Sequence, residues 1–225
     1  MAVVKVAAEP FAVELDLDET ALIVIDMQKD FLEPGGFGDS LGNDVTLLQR
    51  TIAPLQKLLA ATRRLGMTII HTREGHLPDL SDCPPTKLTR WPPGTRIGDP
   101  GPMGRILIRG EEGHAIIDAV APWPDEVVID KPGKNAFYAT NLSEILQAKP
   151  IKNLIVTGVT TDVCCSATVI AANDAGYNAI ILEDCVASYD PNRHAAALAT
   201  IKAQGGIFGW VSDSASLLAA LEEKA

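Results

Sequence analysis

The chain has 225 residues, 47% of them hydrophobic and 21% charged, with 18 glycines and 15 prolines. That composition belongs to a globular protein with one sizeable core, and it excludes disordered, collagen-like and coiled-coil classes. A net charge of -10 repels phosphate backbones and anionic lipid, so neither nucleic acid nor a membrane is expected as a partner.

The opening MAVVKVAAEPFAVELDLDE places Pro10 and several acids where a signal peptide needs an apolar run. With no apolar stretch near the roughly 18 residues of a membrane span, a cytoplasmic protein is expected. Four cysteines, Cys83, Cys164, Cys165 and Cys185, are too few and too irregular for a disulfide framework, which leaves room for a working thiol.

Ala21 to Asp26 (ALIVID) is a continuous β-branched run ending on an acid, the pattern of a strand covered on both faces. Similar runs follow at Thr68 to His71, Val127 to Ile129, Asn153 to Val156, Ala179 to Leu182 and, more weakly, Ile207 to Val211. Helical patterns lie between and after them, at Asp44 to Leu65, Leu142 to Gln147, Asp162 to Ala175, Pro191 to Ala203 and Ser214 to Glu222, with the terminal helix extending toward Ala225. Alternation of this kind predicts one α/β domain over residues 1–225, a three-layer α/β/α, doubly wound, Rossmann-like fold on a six-stranded, mainly parallel sheet. Residues 74–113 break the rhythm with Pro, Gly and charge. A long irregular segment in a compact domain usually has a task, so it is expected to be a lid or interface excursion, anchored by Trp91, Ile97, Met103 and Ile106.

Ligands of open α/β sheets bind beyond the carboxyl ends of the strands, which directs attention to the residues ending each strand. The first ends in Asp26, the third in Asp130 and Lys131, and the fourth runs into Gly158-Val159-Thr160-Thr161-Asp162-Val163-Cys164. An acid, an ammonium and a thiol can therefore meet at one rim. A thiol just inside a helix start feels unpaired N–H groups and the positive end of the dipole, which favour the thiolate. Taken singly, Cys164 reads as a small buried hydrophobe, Lys131 as a surface lysine and Asp26 as a cap.

The segments ALIVIDMQKDF, DKPGKNAF, GVTTDVCCSAT and DAGYNAIILEDC, in this order, resemble the isochorismatase-like cysteine hydrolases from about Thr20 to Leu221. This family includes nicotinamidase, N-carbamoylsarcosine amidohydrolase, ureidoacrylate amidohydrolase and biuret hydrolase. The resemblance implies a catalytic triad of Asp26, Lys131 and Cys164, with Lys134 as the fallback lysine and Cys165 as packing. It also implies a cis peptide between Val159 and Thr160, and an oxyanion hole from the backbone N–H groups of Thr160 and Cys164. In the mechanism expected from it, Lys131 favours the Cys164 thiolate, a pair worth up to ~4 kcal/mol at about 4 Å and an effective dielectric near 20. Asp26 moves the proton, and a thioester is formed and hydrolysed.

Metal-binding members of the family carry histidines soon after the first strand, whereas Phe31 to Gln49 has none. His71 and His76 flank Glu74 and read as hydrogen-bonded loop or pocket residues, and no phosphate loop is present, so neither metal nor cofactor is expected. HTREGHLPDL, IGDPGPMGRILIRGEEGH and KAQGGIFG are most similar to biuret hydrolase. The resemblance implies that Gln204 binds the urea-like end of a substrate, that Phe31 walls the pocket, and that the chain forms a homo-oligomer, often a tetramer. Ile170 and Ala171 depart from the Arg-Glu pair of biuret hydrolases. The expected reaction is amide hydrolysis of biuret to allophanate and ammonia, with triuret, ureidoacrylate or another N-carbamoyl compound as alternatives. A non-catalytic protein binding a small ligand or sensing oxidants through Cys164 is the reading from another class.

Overall fold

The computed structural model describes residues 3–222; Met1, Ala2 and 223–225, the last of which were assigned to the end of the terminal helix, lie outside the described residues. Chain order gives β1 (Val3–Val6), β2 (Val13–Asp16), β3 (Thr20–Ile25), β4 (Thr68–Glu74), β5 (Pro100–Gly101), β6 (Gly104–Arg105), β7 (Val127–Lys131), β8 (Asn153–Val159), β9 (Asn178–Ala187) and β10 (Trp210–Ser212). Six strands form the main sheet in the order β10-β9-β8-β3-β4-β7, and every pairing in it is parallel. The expected fold class is therefore present, with a wholly rather than mainly parallel sheet.

The sheet's two faces explain the continuous apolar runs. Leu22 and Val24 of β3 enter one core with Leu55, Leu58 and Leu59 of the Ile52–Arg64 helix and Leu217 of the Ser214–Glu222 helix. Ala21, Ile23 and Ile25 alternate into the opposite core with Leu142, Val169 and Leu198, from helices Leu142–Gln147, Ser166–Asp174 and Pro191–Ile201. A strand buried on both faces must be almost wholly apolar; all six residues of β3 are buried, and its one polar member, Thr20, donates its hydroxyl to the Asp16 carbonyl at 2.7 Å.

Winding runs outward from β3 through β4 to β7, then restarts on the other side of β3 with β8, β9 and β10. The reversal falls between β3 and β8, which opens a crevice at their carboxyl ends. Gly158 permits their close approach: its φ is +100°, and a Cβ there would lie 2.0 Å from the carbonyl oxygen of Ile25.

Several expectations shift in detail. The Asp44 to Leu65 helix is divided into Thr46–Gln49 and Ile52–Arg64. The last strand is Trp210–Ser212, because Gly205, Gly206 and Gly209 take positive φ values and reverse the chain before it. The β1–β2 hairpin was not anticipated; its alternating burial marks a small sheet with one wet face. The excursion carries the Pro85–Leu88 helix and the β5–β6 ladder, and it closes on a core of Cys83, Ile97, Ile106, Leu107 and Ile108. Trp91 is not among its anchors, being 53% exposed.

Candidate active site

Asp26 follows β3 with a φ of +47°. Its backbone N–H donates to the carbonyl oxygen of Thr72 at 3.1 Å, and its Oδ1 accepts from the Thr72 hydroxyl at 2.7 Å. Neighbouring β4 therefore sets the carboxylate's direction. Lys131 ends β7, fully buried, with Nζ 2.7 Å from Asp26 Oδ2 and donating to the Gly133 carbonyl at 3.0 Å.

Cys164 lies in a π-helical turn, Thr161–Cys165, two residues before the Ser166–Asp174 α-helix. The thiol therefore sits ahead of that helix instead of in its first turn. Thr168 fixes the turn by donating its hydroxyl to the Cys164 carbonyl at 2.8 Å and accepting the Ala136 N–H at 3.1 Å, which ties the nucleophile's turn to the loop after Lys131. Cys165 points away, its Sγ 3.9 Å from the Thr157 carbonyl oxygen, in keeping with a packing residue.

Ligand-type atoms of Asp26, Glu74 and Cys164 all lie within 4.8 Å of one another. Glu74 is the member the sequence reading missed as an active-site group. It ends β4, is fully buried, and its Oε2 accepts the Cys164 thiol at 3.4 Å while lying 3.8 Å from Lys131 Nζ. Its other oxygen accepts from Lys134 at 2.6 Å. Gln28, from the ALIVIDMQKDF segment, holds the Glu74 backbone: Oε1 accepts the Glu74 N–H at 2.7 Å and Nε2 donates to its carbonyl at 3.0 Å. The two candidate lysines thus share a carboxylate, but Lys131 alone pairs with Asp26.

Acid, acid and thiol could in principle hold a cation, and this site already contains one. The Lys131 ammonium touches both carboxylates, so a divalent ion would have to displace a buried, paired charge. His71 and His76 do not converge with Glu74 into a ligand set: His71 Nε2 meets Glu126 at 3.0 Å, and His76 Nδ1 meets Asp82 at 3.1 Å.

Electrostatics separate the two carboxylates. Burial pushes Asp26 above the usual carboxylate range, with Lys131 opposing it. Glu74 is also buried, but Lys131 and Lys134 overcome that cost and hold it below its usual value. Burial would lower Lys131, yet Asp26, Cys164 and Glu74 raise it, so it stays an ammonium. Cys164 departs from expectation: burial pushes its thiol well above the usual value despite Lys131. Burial disfavours the Cys164 thiolate more than Lys131 and Lys134 favour it, in keeping with the thiol's hydrogen bond to Glu74 at 3.4 Å.

A cavity of about 440 Å³ opens over this cluster, lined by Phe31, Glu74, Lys134, Thr160, Cys164 and Arg193 among others. The Val159–Thr160 peptide is cis, and Thr160 and Cys164 both face the cavity. Phe31 lies in the cavity wall while also packing against the excursion's core. Gln204 is elsewhere: it is exposed, has a φ of +52° in the turn after the Pro191–Ile201 helix, and does not line the cavity.

This fold, with an acid, a buried lysine and a cysteine meeting at the switch point, defines a class of cysteine-dependent α/β hydrolases. Residues 20–216 match the Isochorismatase domain family, and the chain belongs to it. Ureidoacrylate amidohydrolase RutB of Methylorubrum extorquens is 32% identical over 223 residues, covering 97% of this chain and 89% of that protein. A cysteine hydrolase from Pseudomonas syringae pv. phaseolicola superposes with a TM-score of 0.80 at 28% identity, covering 100% of this chain and 99% of the other. N-carbamoylsarcosine amidase from Thermoplasma acidophilum gives 0.66 at 26% identity, covering 87% and 96%. The chain is thus an isochorismatase-like hydrolase, and two of the relatives above are named as an amidohydrolase and an amidase. Among the described residues no helix is long and apolar enough to cross a membrane.

Proposed function

We propose that the protein hydrolyses a small ureido compound through a Cys164 thioester, without a metal ion. The observation that carries this is the meeting of Asp26, Lys131, Glu74 and Cys164 beneath one cavity. In this reading the ureido carbonyl enters beside Thr160 and Cys164, whose N–H groups stabilise the developing oxyanion. Asp26, the carboxylate pushed up by burial, takes the thiol proton as sulfur attacks and returns it to the departing nitrogen. Water, activated by the same carboxylate, then cleaves the thioester and regenerates the thiol. Lys131 stays charged throughout and balances whichever partner is anionic.

An N-carbamoyl acid of the ureidoacrylate kind is favoured over biuret. Lys134 and Arg193 on the cavity wall can meet a carboxylate, and the relative at 32% identity is named for ureidoacrylate. Gln204, the residue implied for biuret, is outside the cavity of this chain. The same proposal places the protein in the cytoplasm, whose reducing conditions suit four free cysteines. It also holds that the chain assembles as a homo-oligomer, for which exposed Val163, Ile170 and Ile207 offer apolar contact; light scattering measures this directly.

The test is ammonia release from ureidoacrylate, N-carbamoyl amino acids, biuret, triuret and nicotinamide, with a chelator present. Turnover of a ureido compound is expected, and Cys164→Ser should reduce it by at least about 1,000-fold, as loss of a nucleophile does, while leaving the circular dichroism spectrum unchanged. Full activity of that variant, or no hydrolysis of any amide in the panel, rejects the reading.

A further inference from the structure

Glu74 has a third ammonium against it, supplied by the excursion. Lys87, on the Pro85–Leu88 helix, lies 3.9 Å from Glu74 Oε1. The same Nζ donates to His76 Nε2 at 2.9 Å and to the carbonyl of Pro132, the residue after Lys131. Accepting at Nε2 leaves the His76 proton on Nδ1, where it donates to Asp82 Oδ1 at 3.1 Å. Asp82 accepts in turn from the Leu77 N–H at 3.0 Å and from Arg109 at 3.1 Å.

A continuous polar path therefore runs from Arg109 through Asp82, His76 and Lys87 to the active-site carboxylate. His76 is fully buried, and its backbone is bonded on both sides, donating to Leu107 at 2.8 Å and accepting from Arg109 at 2.9 Å. Turning the imidazole to solvent would break its bonds to Lys87 and Asp82. Leu88 packs beside Lys87 into the excursion's own core. A long lysine pinned at its head by two acceptors and an ion pair loses much side-chain entropy, which a solvent-facing residue would not.

We propose that Lys87 is a positioning residue for Glu74, docking the excursion onto the catalytic cluster with His76 and Asp82 as its backing. This rests on the amidohydrolase reading for its consequence but not for its geometry. Lys134 reaches Glu74 Oε1 from the loop after β7, and its side chain is 49% exposed; Lys87 reaches the same oxygen from the excursion and is 23% exposed. With Oε1 held by both, Oε2 is left to face Cys164 and Lys131. Glu74, Lys134, Cys83 and Lys131 are the charged or titratable groups that act on Lys87 besides His76. Among these, Glu74 is the carboxylate whose orientation Lys87 can set.

The experiment uses the full chain with Lys87→Met, Lys87→Arg and Asp82→Asn, and reads two quantities. The first is kcat and KM on whichever ureido compound the unaltered protein hydrolyses. The second needs no substrate: the rate of Cys164 alkylation by iodoacetamide between pH 6 and 10, resolved from Cys165 by tandem mass spectrometry. Lys87→Met is expected to lower kcat roughly 10- to 100-fold, the cost of misplacing a reacting group by about 1 Å, with KM changed little. Its alkylation profile should shift to higher pH, since the carboxylate that accepts the thiol loses one of the ammoniums balancing it. Lys87→Arg should recover most of both effects, and Asp82→Asn should move both in the direction of Lys87→Met by less.

Unchanged kcat and alkylation in Lys87→Met overturn the proposal, as does a rise in KM alone or a loss that Lys87→Arg fails to recover. Should Lys87→Met not fold, the other two variants carry the same test. If the unaltered protein hydrolyses nothing, the amidohydrolase reading fails while the alkylation profiles still decide the place of Lys87.

Discussion

Asp26 and Glu74 are both fully buried and both within 4 Å of the Lys131 ammonium, yet their surroundings push them apart. Among the described residues Asp26 has one cationic partner, and desolvation prevails; Glu74 has several, and they prevail. These opposed directions suit Asp26 to carrying a proton and Glu74 to staying anionic. Asp26→Asn keeps the shape and removes the base, so turnover should fall by at least about 100-fold, the usual contribution of general base catalysis, with near-native secondary structure. Assay of that variant beside its circular dichroism spectrum checks this, and retention of a tenth or more of the activity would contradict it. Asp26, Lys131 and Cys164 were legible because each ends or follows a strand and the surrounding motifs resemble a known family. Glu74 was not, because an acid after a strand reads as a surface group until lysines from two separate loops are seen to converge on it. Gln204 was singled out by a resemblance alone, and its local chain reverses through Gly205 and Gly206 on the exposed surface, away from the cavity lining.

At the level of elements, the site depends on how closely β8 lies against β3. Ile25 and Gly158 are paired in register one residue before Asp26 and one before the cis Val159–Thr160 peptide. Gly158→Ala would drive a methyl group into the Ile25 carbonyl, with 2.0 Å where an ordinary contact needs at least about 3.4 Å, at a φ that costs a non-glycine residue further. The strands must separate at their carboxyl ends, which moves Asp26 away from Cys164. A stability loss of about 2–5 kcal/mol is expected, combining steric overlap of about 1–3 with a backbone penalty of about 1–2. Urea denaturation measures it, and a midpoint unchanged from the unaltered protein would show that the approach is looser than described. Strands such as β3 and β8 could be read from sequence because burial on both faces forces an unbroken apolar run. The β1–β2 hairpin could not, since four-residue strands with one wet face and intervening acids carry little signal. The π-helical turn at Thr161–Cys165 was hidden for another reason: one extra residue in a turn leaves the apolar period almost unchanged.

For the whole molecule, the histidines set the response to acid. All four, His71, His76, His114 and His194, have pKa values pushed below the ordinary one, in each case chiefly by burial. His114, 2% exposed and packed against Gly75, is lowered to about 4. A base whose folded pKa is depressed binds fewer protons in the native than in the unfolded state, so stability rises with pH between the two values. For His114 that window runs from about 4 up to the ordinary 6.5. Glu126 extends the trend below it: Arg63, Trp123 and His71 outweigh its burial and hold it at about 2, and protonating it removes their partner. Acidification also trims the net charge of -10, which relieves self-repulsion. That gain acts mainly between surface charges and is screened beyond about 8 Å at physiological salt, whereas the histidines are desolvated and screened little. The melting temperature at 0.15 M salt should therefore fall steadily from pH 7 to pH 4.5, and His114→Gln should flatten part of the slope by removing one of the protons taken up on unfolding. Thermal scans across that range measure both; a melting temperature that holds level or rises on acidification would mean that charge repulsion, and not buried imidazole, governs the stability of the fold.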